Sequence, residues 1–227
     1  MKACLYIIFL FSVLIFFFSS CASKRNATPP YVCGPVLSEK QIDKVFIPLV
    51  EILELSAGDV FADVGASSGA HDIMISTLVD SVTFYIQDID TTCLNQKQLD
   101  KIIAYYSDLR GQSLKSRNQY FITIGELKQT KLPDDTFDKI YSNATFHVLS
   151  HKEALMTDVY TKLKVGGSFF IRDGFAKAGK IEYCEDKTCG HQLTSEEEMI
   201  KIVQASGFSF VKKWDDFKGY PVFKFEK

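Results

Sequence analysis

The sequence predicts an α/β fold: a three-layer αβα sandwich in which helices cover both faces of a mostly parallel, seven-stranded sheet. Three observations predict it. Short runs of β-branched and aromatic residues alternate with longer segments whose apolar residues recur at helical spacing. The 227 residues, 46% hydrophobic and 24% charged, suit one globular domain with short appendages. A loop of small residues follows the first strand, where parallel sheets bind ligands.

The first predicted helix begins at Ser38, which can form a capping box with Gln41. Its apolar residues recur on one helix face, at Ile42, Val45, Phe46 and Leu49. Pro48 is expected to kink or restart this helix, because proline removes a main-chain donor.

The strands and helices that follow alternate along the chain. Strands are predicted at 59–64, 82–87, 120–124, 137–141, 168–172, 208–214 and 220–225. Helices are predicted at about 69–78, through the period of Leu99, Ile102, Ile103 and Tyr106, at about 152–163, and from a Thr194–Glu197 capping box to Gly207. The alternation implies a parallel sheet, and the last two strands close it through a polar turn.

The N-terminal segment predicts export or anchoring. The apolar run Leu5–Phe18 is short for a membrane span and fits the hydrophobic part of a signal peptide. The small residues before Cys21 resemble a bacterial lipoprotein box, in which that cysteine carries the lipid, although Phe18 stands where leucine is usual. The alternative is an uncleaved inner-membrane anchor, with Lys24 and Arg25 holding the domain in the cytoplasm.

The chain therefore divides into a signal peptide or anchor at 1–21, a tether at 22–37 rich in small and polar residues, and a domain at 38–227. Lys and Arg number 26 against 28 Asp and Glu, a formal charge of -2. This balance provides no basic field for a nucleic-acid backbone, so we expect no nucleic-acid partner.

The domain and its tether contain four cysteines, Cys33, Cys93, Cys184 and Cys189. An even number in an exported protein permits disulfides, and the last two could close a short loop. The alternative is a pair of free thiols. A zinc site is disfavoured, because the spacing exceeds that of a C-x-x-C knuckle and only His191 is near in sequence.

The strongest chemical signal is the segment 63–69, DVGASSG, between the first strand and its helix. Small residues let the backbone approach a ligand at a helix N-terminus, and Asp88 ends the next strand where a ribose would lie. Asp63 disfavours the anionic pyrophosphate of a nicotinamide cofactor, whereas it favours the cationic S-adenosylmethionine. A nicotinamide-dependent reductase is thus a weaker hypothesis.

Four ordered motifs resemble those of the class I S-adenosylmethionine-dependent methyltransferases, which have a Rossmann-like fold. They are LSAGDVFADVGASSG (55–69), QDID (87–90), Gly125–Glu126 followed by LPDDTFD (132–138), and LKVGG (163–167). The resemblance extends over 55–225. Three positions depart from the family pattern: Ser67 replaces a glycine, Glu126 an aspartate, and Val165 a proline. A need for positive φ at Ser67 would hinder cofactor binding.

The resemblance implies a cofactor site made of Asp63, Gly65, Ala66, Ser67, Gly69, Asp88, Ile89, Gly125, Glu126 and Asn143. The loop 63–69 would line the methionine part of S-adenosylmethionine. Asp88 would bind the ribose hydroxyls, Ile89 would pack on the adenine, and Glu126 would reach its amino group. Asn143 would face the sulfonium and the acceptor. The alternatives are a helix cap for Asp88, a solvated acid for Glu126 and a turn residue for Asn143.

Methyl transfer needs alignment and exclusion of water, and a base helps where the acceptor is a hydroxyl or phenol. His147, after the fourth strand, is the candidate base, unless it only begins the next helix. His147 and His151 have the i, i+4 spacing of metal ligands, but no third ligand is evident and no metal is expected. Phe146, Phe175 and Tyr183 are candidate pocket walls, and the alternative for each is packing in the core or on the surface.

These residues predict an S-adenosylmethionine-dependent methyltransferase for a small-molecule or lipid-like acceptor. The N-terminal segment predicts a membrane-anchored lipoprotein in the cell envelope, on the periplasmic side. Because the cofactor is made in the cytoplasm, the alternative is a non-catalytic envelope protein that binds a ligand with the same fold.

Overall fold

The computed structural model describes residues 30, 33–184 and 189–227. The predicted signal peptide or anchor at 1–21 lies outside the described residues, as does most of the tether. Among the described residues, no helix combines the length and the apolar character needed to cross a membrane.

The strands form one seven-stranded sheet in the order β3-β2-β1-β4-β5-β7-β6. Their bounds are β1 Val60–Val64, β2 Thr83–Asp88, β3 Gln119–Ile124, β4 Phe137–Asn143, β5 Leu163–Arg172, β6 Ser209–Phe217 and β7 Tyr220–Glu226. The helices are α1 Glu39–Ile52, α2 Ala70–Ser76, α3 Gln96–Arg110, α4 Leu114–Arg117, α5 Lys152–Lys162 and α6 Glu196–Ala205, with a 3-10 helix at Phe146–Val148.

The first five strands are parallel, and β7 joins β5 and β6 in antiparallel pairing. The mostly parallel sheet predicted from the sequence is therefore confirmed. The strand order reverses between β1 and β4, so the connections leave these two strands in opposite directions and open a crevice at their carboxyl ends. Ligand-binding residues are expected there.

Two hydrophobic clusters cover the two faces of the sheet. One contains the apolar stripes of α1 and α3, including Phe46 and Tyr106. The other contains those of α5 and α6, including Met156 and Val203. Burying each large apolar side chain stabilises the fold by about 1.5–3 kcal/mol, so these stripes hold the layers together.

Pro48 does not restart the first helix, which was one of the two predicted outcomes; a kink stays a prediction. It lies inside α1, which is continuous. The carbonyl that proline leaves without a helical partner belongs to Lys44, an exposed residue, so water can satisfy it.

The start of α6 also differs from the prediction. Ser195 is the N-cap, and its hydroxyl accepts a hydrogen bond from the Glu198 N–H at 3.2 Å. The carbonyl of Thr194 instead accepts from the N–H of Ala176 at 3.0 Å, so Thr194 is held in an extended pairing before the helix. At β5, the strand begins five positions before the predicted Ser168, at Leu163.

The four cysteines form two disulfides, Cys33–Cys93 and Cys184–Cys189. The second is the short loop closure that the sequence left open beside free thiols. The first joins residues 60 positions apart and ties the segment before α1 to the loop after β2. Both bonds lie at the edge of the sheet where the crevice opens.

Candidate active site

The loop after β1 depends on glycine at two positions. Gly65 has φ +85° and Gly69 has φ +75°. A Cβ on Gly65 would lie 2.3 Å from the Thr145 hydroxyl oxygen, closer than real Cβ contacts. The N–H groups of Gly65 and Ala66 both donate to the Gln87 carbonyl at 2.9 Å, which fixes the loop against β2.

Ser67 has the positive φ that the departure from the family pattern raised as a concern, at +53°. A non-glycine residue in this region costs about 1–2 kcal/mol. Two hydrogen bonds offset that cost: the Ser67 N–H donates to Asp88 Oδ2 at 2.6 Å, and its hydroxyl donates to the Cys33 carbonyl at 3.1 Å. The loop therefore keeps its shape with serine.

Asp88 joins the loops that follow β1 and β2. Its Oδ2 accepts from Ser67, and its Oδ1 accepts the N–H groups of Ile89 and Asp90 at 2.7 and 2.9 Å. A carboxylate has about four acceptor positions, so about one remains for a ligand hydroxyl. The alternative of a helix cap is wrong, because Asn95 is the N-cap of α3 and accepts from Gln98.

A cavity of about 260 Å³, here called the small cleft, lies at the carboxyl ends of β1, β2 and β4. Its lining residues are Val64, Gly65, Gln87, Asp88, Ile89, Glu126, Leu127, Thr145, Val148, Leu149, Ser150 and Leu155. Ile89, Leu127 and Val148 are 49%, 57% and 37% exposed, although all three are apolar. Such side chains converging on a cleft suit a flat apolar ring.

The sequence placed Ile89 at this cleft but missed Leu127 and Val148, since neither belongs to a motif or a periodic segment. Glu126 also lines the cleft, and its carboxylate forms a salt bridge with Lys131 at 3.2 Å. Gly125 brings this loop close to β2, because a Cβ there would lie 2.2 Å from the Gln87 amide nitrogen.

Two buried carboxyl groups lie behind the loop. Asp63, the last but one residue of β1, is 2% exposed, and Asp72 in α2 is fully buried. One carboxyl oxygen of Asp63 and both of Asp72 have no hydrogen-bond partner among the described residues. Burial, with the charge of Asp88, raises the pKa of Asp63 to about 8, and burial raises the pKa of Asp72 well above its usual value. With a pKa of about 8, Asp63 mostly keeps its proton at pH 7.

Asn143 ends β4 with its amide fully engaged. Its Oδ1 accepts from the Arg172 guanidinium at 2.8 Å and from the Tyr141 hydroxyl at 3.2 Å, and its Nδ2 lies 3.4 Å from His71 Nδ1. Burial and the charge of Arg172 lower the pKa of His71. Asn143 is thus part of a fixed polar network, and its role toward an acceptor stays a prediction.

His147 lies in a larger cavity of about 820 Å³, here called the large cavity. Its ring nitrogen Nδ1 lies 2.7 Å from Asp173 Oδ1, and its main-chain N–H donates to Asp173 Oδ2 at 3.0 Å. Asp173 is 2% exposed and also accepts from the Gly174 N–H at 2.7 Å. The carboxylate therefore fixes the imidazole and leaves Nε2 available.

Asp173 was missed from the sequence, although it directly follows β5 at the ligand-binding edge. The alternative that His147 begins the next helix is wrong, because it lies in the separate 3-10 helix and α5 begins at Lys152. His147 and His151 therefore do not share one helix face. His151 is the N-cap residue of α5.

The structure places two of the three candidate pocket walls at the large cavity and the third in the core. Phe175 and Tyr183 line the large cavity, as predicted. Phe146 does not, since it is 1% exposed and packs in the core beside α5. A ring at the first position of the 3-10 helix points inward, whereas His147 one residue later faces the cavity.

A single segment, 144–148, separates the small cleft from the large cavity. Thr145 and Val148 line the small cleft, whereas Ala144 and His147 line the large cavity. Ala144 has φ +52°, so the chain turns sharply as it leaves β4.

The sequence of the chain is similar to those of known methyltransferases. Residues 62–171 match the model of a family described as a methyltransferase domain. Arsenite methyltransferase of Rattus norvegicus is 22% identical over 172 residues, which is 74% of this chain and 45% of that protein. The chain thus spans less than half the length of this curated relative.

Two solved structures show the likeness of fold. A S-adenosylmethionine-dependent methyltransferase from Aquifex aeolicus has a TM-score of 0.58 and 20% identity, over 84% of this chain and 98% of that one. The (4+2)-cyclase SpnF has a TM-score of 0.64 and 16% identity, over 87% and 86%. The predicted Rossmann-like methyltransferase fold is therefore confirmed, and the cyclase shows that this fold also serves other chemistry.

Proposed function

We propose that the chain is a class I S-adenosylmethionine-dependent methyltransferase that acts on a small-molecule acceptor. The observation that carries the proposal is the arrangement of two cavities on either side of segment 144–148. The loop of the matched methyltransferase domain borders the small cleft, and a histidine–aspartate pair faces the large cavity.

The residues of the small cleft fit the proposed cofactor. Ile89, Leu127 and Val148 provide apolar surfaces for an adenine ring. Asp88 has about one acceptor position left for a ribose hydroxyl. Asp63 has an unpartnered buried oxygen behind the loop, which suits the cationic methionine end of the molecule.

A cationic ligand changes the protonation of Asp63. The carboxyl group is neutral at pH 7 because its pKa is about 8. A nearby positive charge favours the carboxylate, so binding is expected to release a proton from Asp63. The Asp63 carboxylate would then attract the positive charge of the ligand.

When bound, S-adenosylmethionine supplies an activated methyl group on a sulfonium. The chain's contribution is to align the acceptor and remove its proton. His147 presents Nε2 to the large cavity as the proton acceptor, because Asp173 holds Nδ1. Asp173 also stabilises the imidazolium that forms, as a buried carboxylate does in other histidine–aspartate pairs.

The large cavity indicates the class of acceptor. Its volume of about 820 Å³ lies within the range of small-molecule sites, and it has apolar walls at Phe175, Ile181 and Tyr220. An acceptor with an ionisable hydroxyl and an apolar body fits, and a lipid-like molecule remains within this class. In the disulfide form, Cys184 and Cys189 offer no thiolate for arsenite, the compound named for the rat relative.

We propose a location in the cell envelope, anchored through the N-terminal segment and Cys21. The two disulfides support it, since such bonds persist mainly in oxidising compartments. The alternative is an anchor that holds the domain on the cytoplasmic side, where the cofactor is made.

A non-catalytic envelope protein with the same fold is the second candidate. The observation in its favour is Asp88, whose carboxylate is largely occupied by main-chain N–H groups.

Transfer of a labelled methyl group to small phenols and other hydroxyl compounds separates the two candidates. His147→Ala should slow transfer without weakening cofactor binding, and His191→Ala, an exposed histidine, is the matched control. Tight cofactor binding with no transfer to any acceptor would favour the second candidate.

A further inference from the structure

Three ligating side chains come together at the rim of the large cavity. A ring nitrogen of His147 and the sulfurs of Cys184 and Cys189 all lie within 4.8 Å of one another. The histidine follows β4, and the two cysteines come from the segment before α6. The mechanism proposed above uses the histidine but gives the cysteines no role.

The histidine is already oriented as a metal ligand would be. Asp173 engages Nδ1 at 2.7 Å, which leaves Nε2 as the free ring nitrogen. Metal-binding histidines almost always have such a partner on the second nitrogen, and it fixes both the ring orientation and the tautomer.

Besides the disulfide, main-chain pairing joins the residues on the two sides of the cysteine loop. Tyr183 and Gln192 form an antiparallel bridge. The N–H of Cys184 donates to the His191 carbonyl at 3.0 Å, and the N–H of Leu193 donates to the Glu182 carbonyl at 2.8 Å. Reduction of the disulfide therefore leaves one cysteine fixed by its neighbours.

We propose that the reduced chain binds one Zn²⁺ ion through His147 Nε2 and the thiolates of Cys184 and Cys189; in this state Nε2 ligates the metal and does not act as the base proposed above. One nitrogen and two sulfur ligands are a set that Zn²⁺ prefers, and its tetrahedral geometry leaves a fourth position. His147 and Cys184 line the large cavity, so that position is expected to open toward it. The site is new relative to the sequence prediction, which expected no metal.

The redox and proton balance of the site is simple. A dithiol reductant gives two electrons and two protons to the disulfide, is itself oxidised to a cyclic disulfide, and leaves two cysteine thiols. Binding of Zn²⁺ then releases both thiol protons. The disulfide form cannot bind, so oxidation and metal binding are alternative states of the same pair.

The test is a metal titration of the full chain in detergent, which needs no methyl donor and is independent of the proposed activity. The chain is reduced with a dithiol, freed of reductant without oxygen, and titrated with Co²⁺ as an optical probe for Zn²⁺. We expect one Co²⁺ per chain, with thiolate-to-cobalt charge-transfer and tetrahedral absorption bands that Zn²⁺ abolishes. The untreated, oxidised chain should show none.

Matched variants locate the ligands. Cys189→Ser should abolish most of the charge-transfer band, and His147→Ala should change the tetrahedral bands. Asp173→Asn, a positioning variant, should weaken affinity by roughly 10–100-fold. Cys93→Ser, which breaks only the other disulfide, should bind as the unsubstituted chain does. Bands that persist in a Cys184→Ser, Cys189→Ser double variant, or no binding by the reduced chain, would overturn the proposal.

Discussion

As the pH rises, the Asp63→Asn variant should lose less stability toward unfolding than the unsubstituted protein does. The pKa of Asp63 is about 8 in the folded chain, against 3.8 as its ordinary value. The folded state therefore keeps a proton that the unfolded state gives up, and the favourable contribution is present below pH 3.8 and lost as the pH rises through about 8. Asparagine is neutral in both states and does not show this loss.

Each pH unit between those limits corresponds to about 1.4 kcal/mol for one proton. From pH 5 to pH 7, the free energy of unfolding of the unsubstituted chain should therefore fall by about 3 kcal/mol relative to that of the variant. Comparing the same pair at two pH values cancels any pH-independent effect of the new amide, such as an unpaired donor.

Urea unfolding, followed by fluorescence at pH 5, 6 and 7, measures this difference. The control is Asp215→Asn, whose side chain is 89% exposed, and it should run parallel to the unsubstituted chain. Parallel curves for Asp63→Asn as well would show that Asp63 is ionised in the fold, and the reasoning about the buried pair would be refuted.

Three further predictions concern the loop and its ligand. Gly65→Ala should lower the free energy of unfolding by about 1–2 kcal/mol or more, because of the positive φ at this position and the contact with Thr145. It should also abolish S-adenosylmethionine binding in calorimetry. Adding Thr145→Ala should restore only part of the stability. Ser67→Gly should change the free energy of unfolding by less than about 1 kcal/mol, because relief of the positive φ is offset by loss of the hydroxyl bond to the Cys33 carbonyl, and a larger change in urea unfolding would contradict this balance. Calorimetric affinity for S-adenosylmethionine should rise from pH 6 to pH 8, since binding releases the Asp63 proton, and Asp63→Asn should remove that dependence.

The sheet and its order of elements could be predicted because periodicity reports burial. Strands such as β1 and β2 are short apolar runs, and α3 presents Leu99, Ile102 and Ile103 on one face. The ends of elements were less accurate because local tertiary pairing decides them. Thr194 has the residue type of a cap, but its carbonyl pairs with Ala176, so the helix starts after Ser195.

The candidate site could be predicted only where a motif marks it. Gly65 and Asp88 stand in recognisable segments and lie at the small cleft. Asp173 and Leu127 occupy loops without periodicity, and their importance comes from which strand ends the sheet brings together. The pairing of Cys33 with Cys93 likewise depends on the fold, since 60 residues separate them.

Calorimetric titration of the full chain with S-adenosylmethionine, S-adenosylhomocysteine and NADH tests whether the small cleft binds the proposed cofactor. We expect one binding site for each of the first two ligands, no binding of NADH, and loss of binding in Asp88→Ala while the fold is retained. Binding of NADH alone, or equal S-adenosylmethionine binding by the unsubstituted chain and Asp88→Ala, would contradict the assignment of the small cleft as the cofactor site.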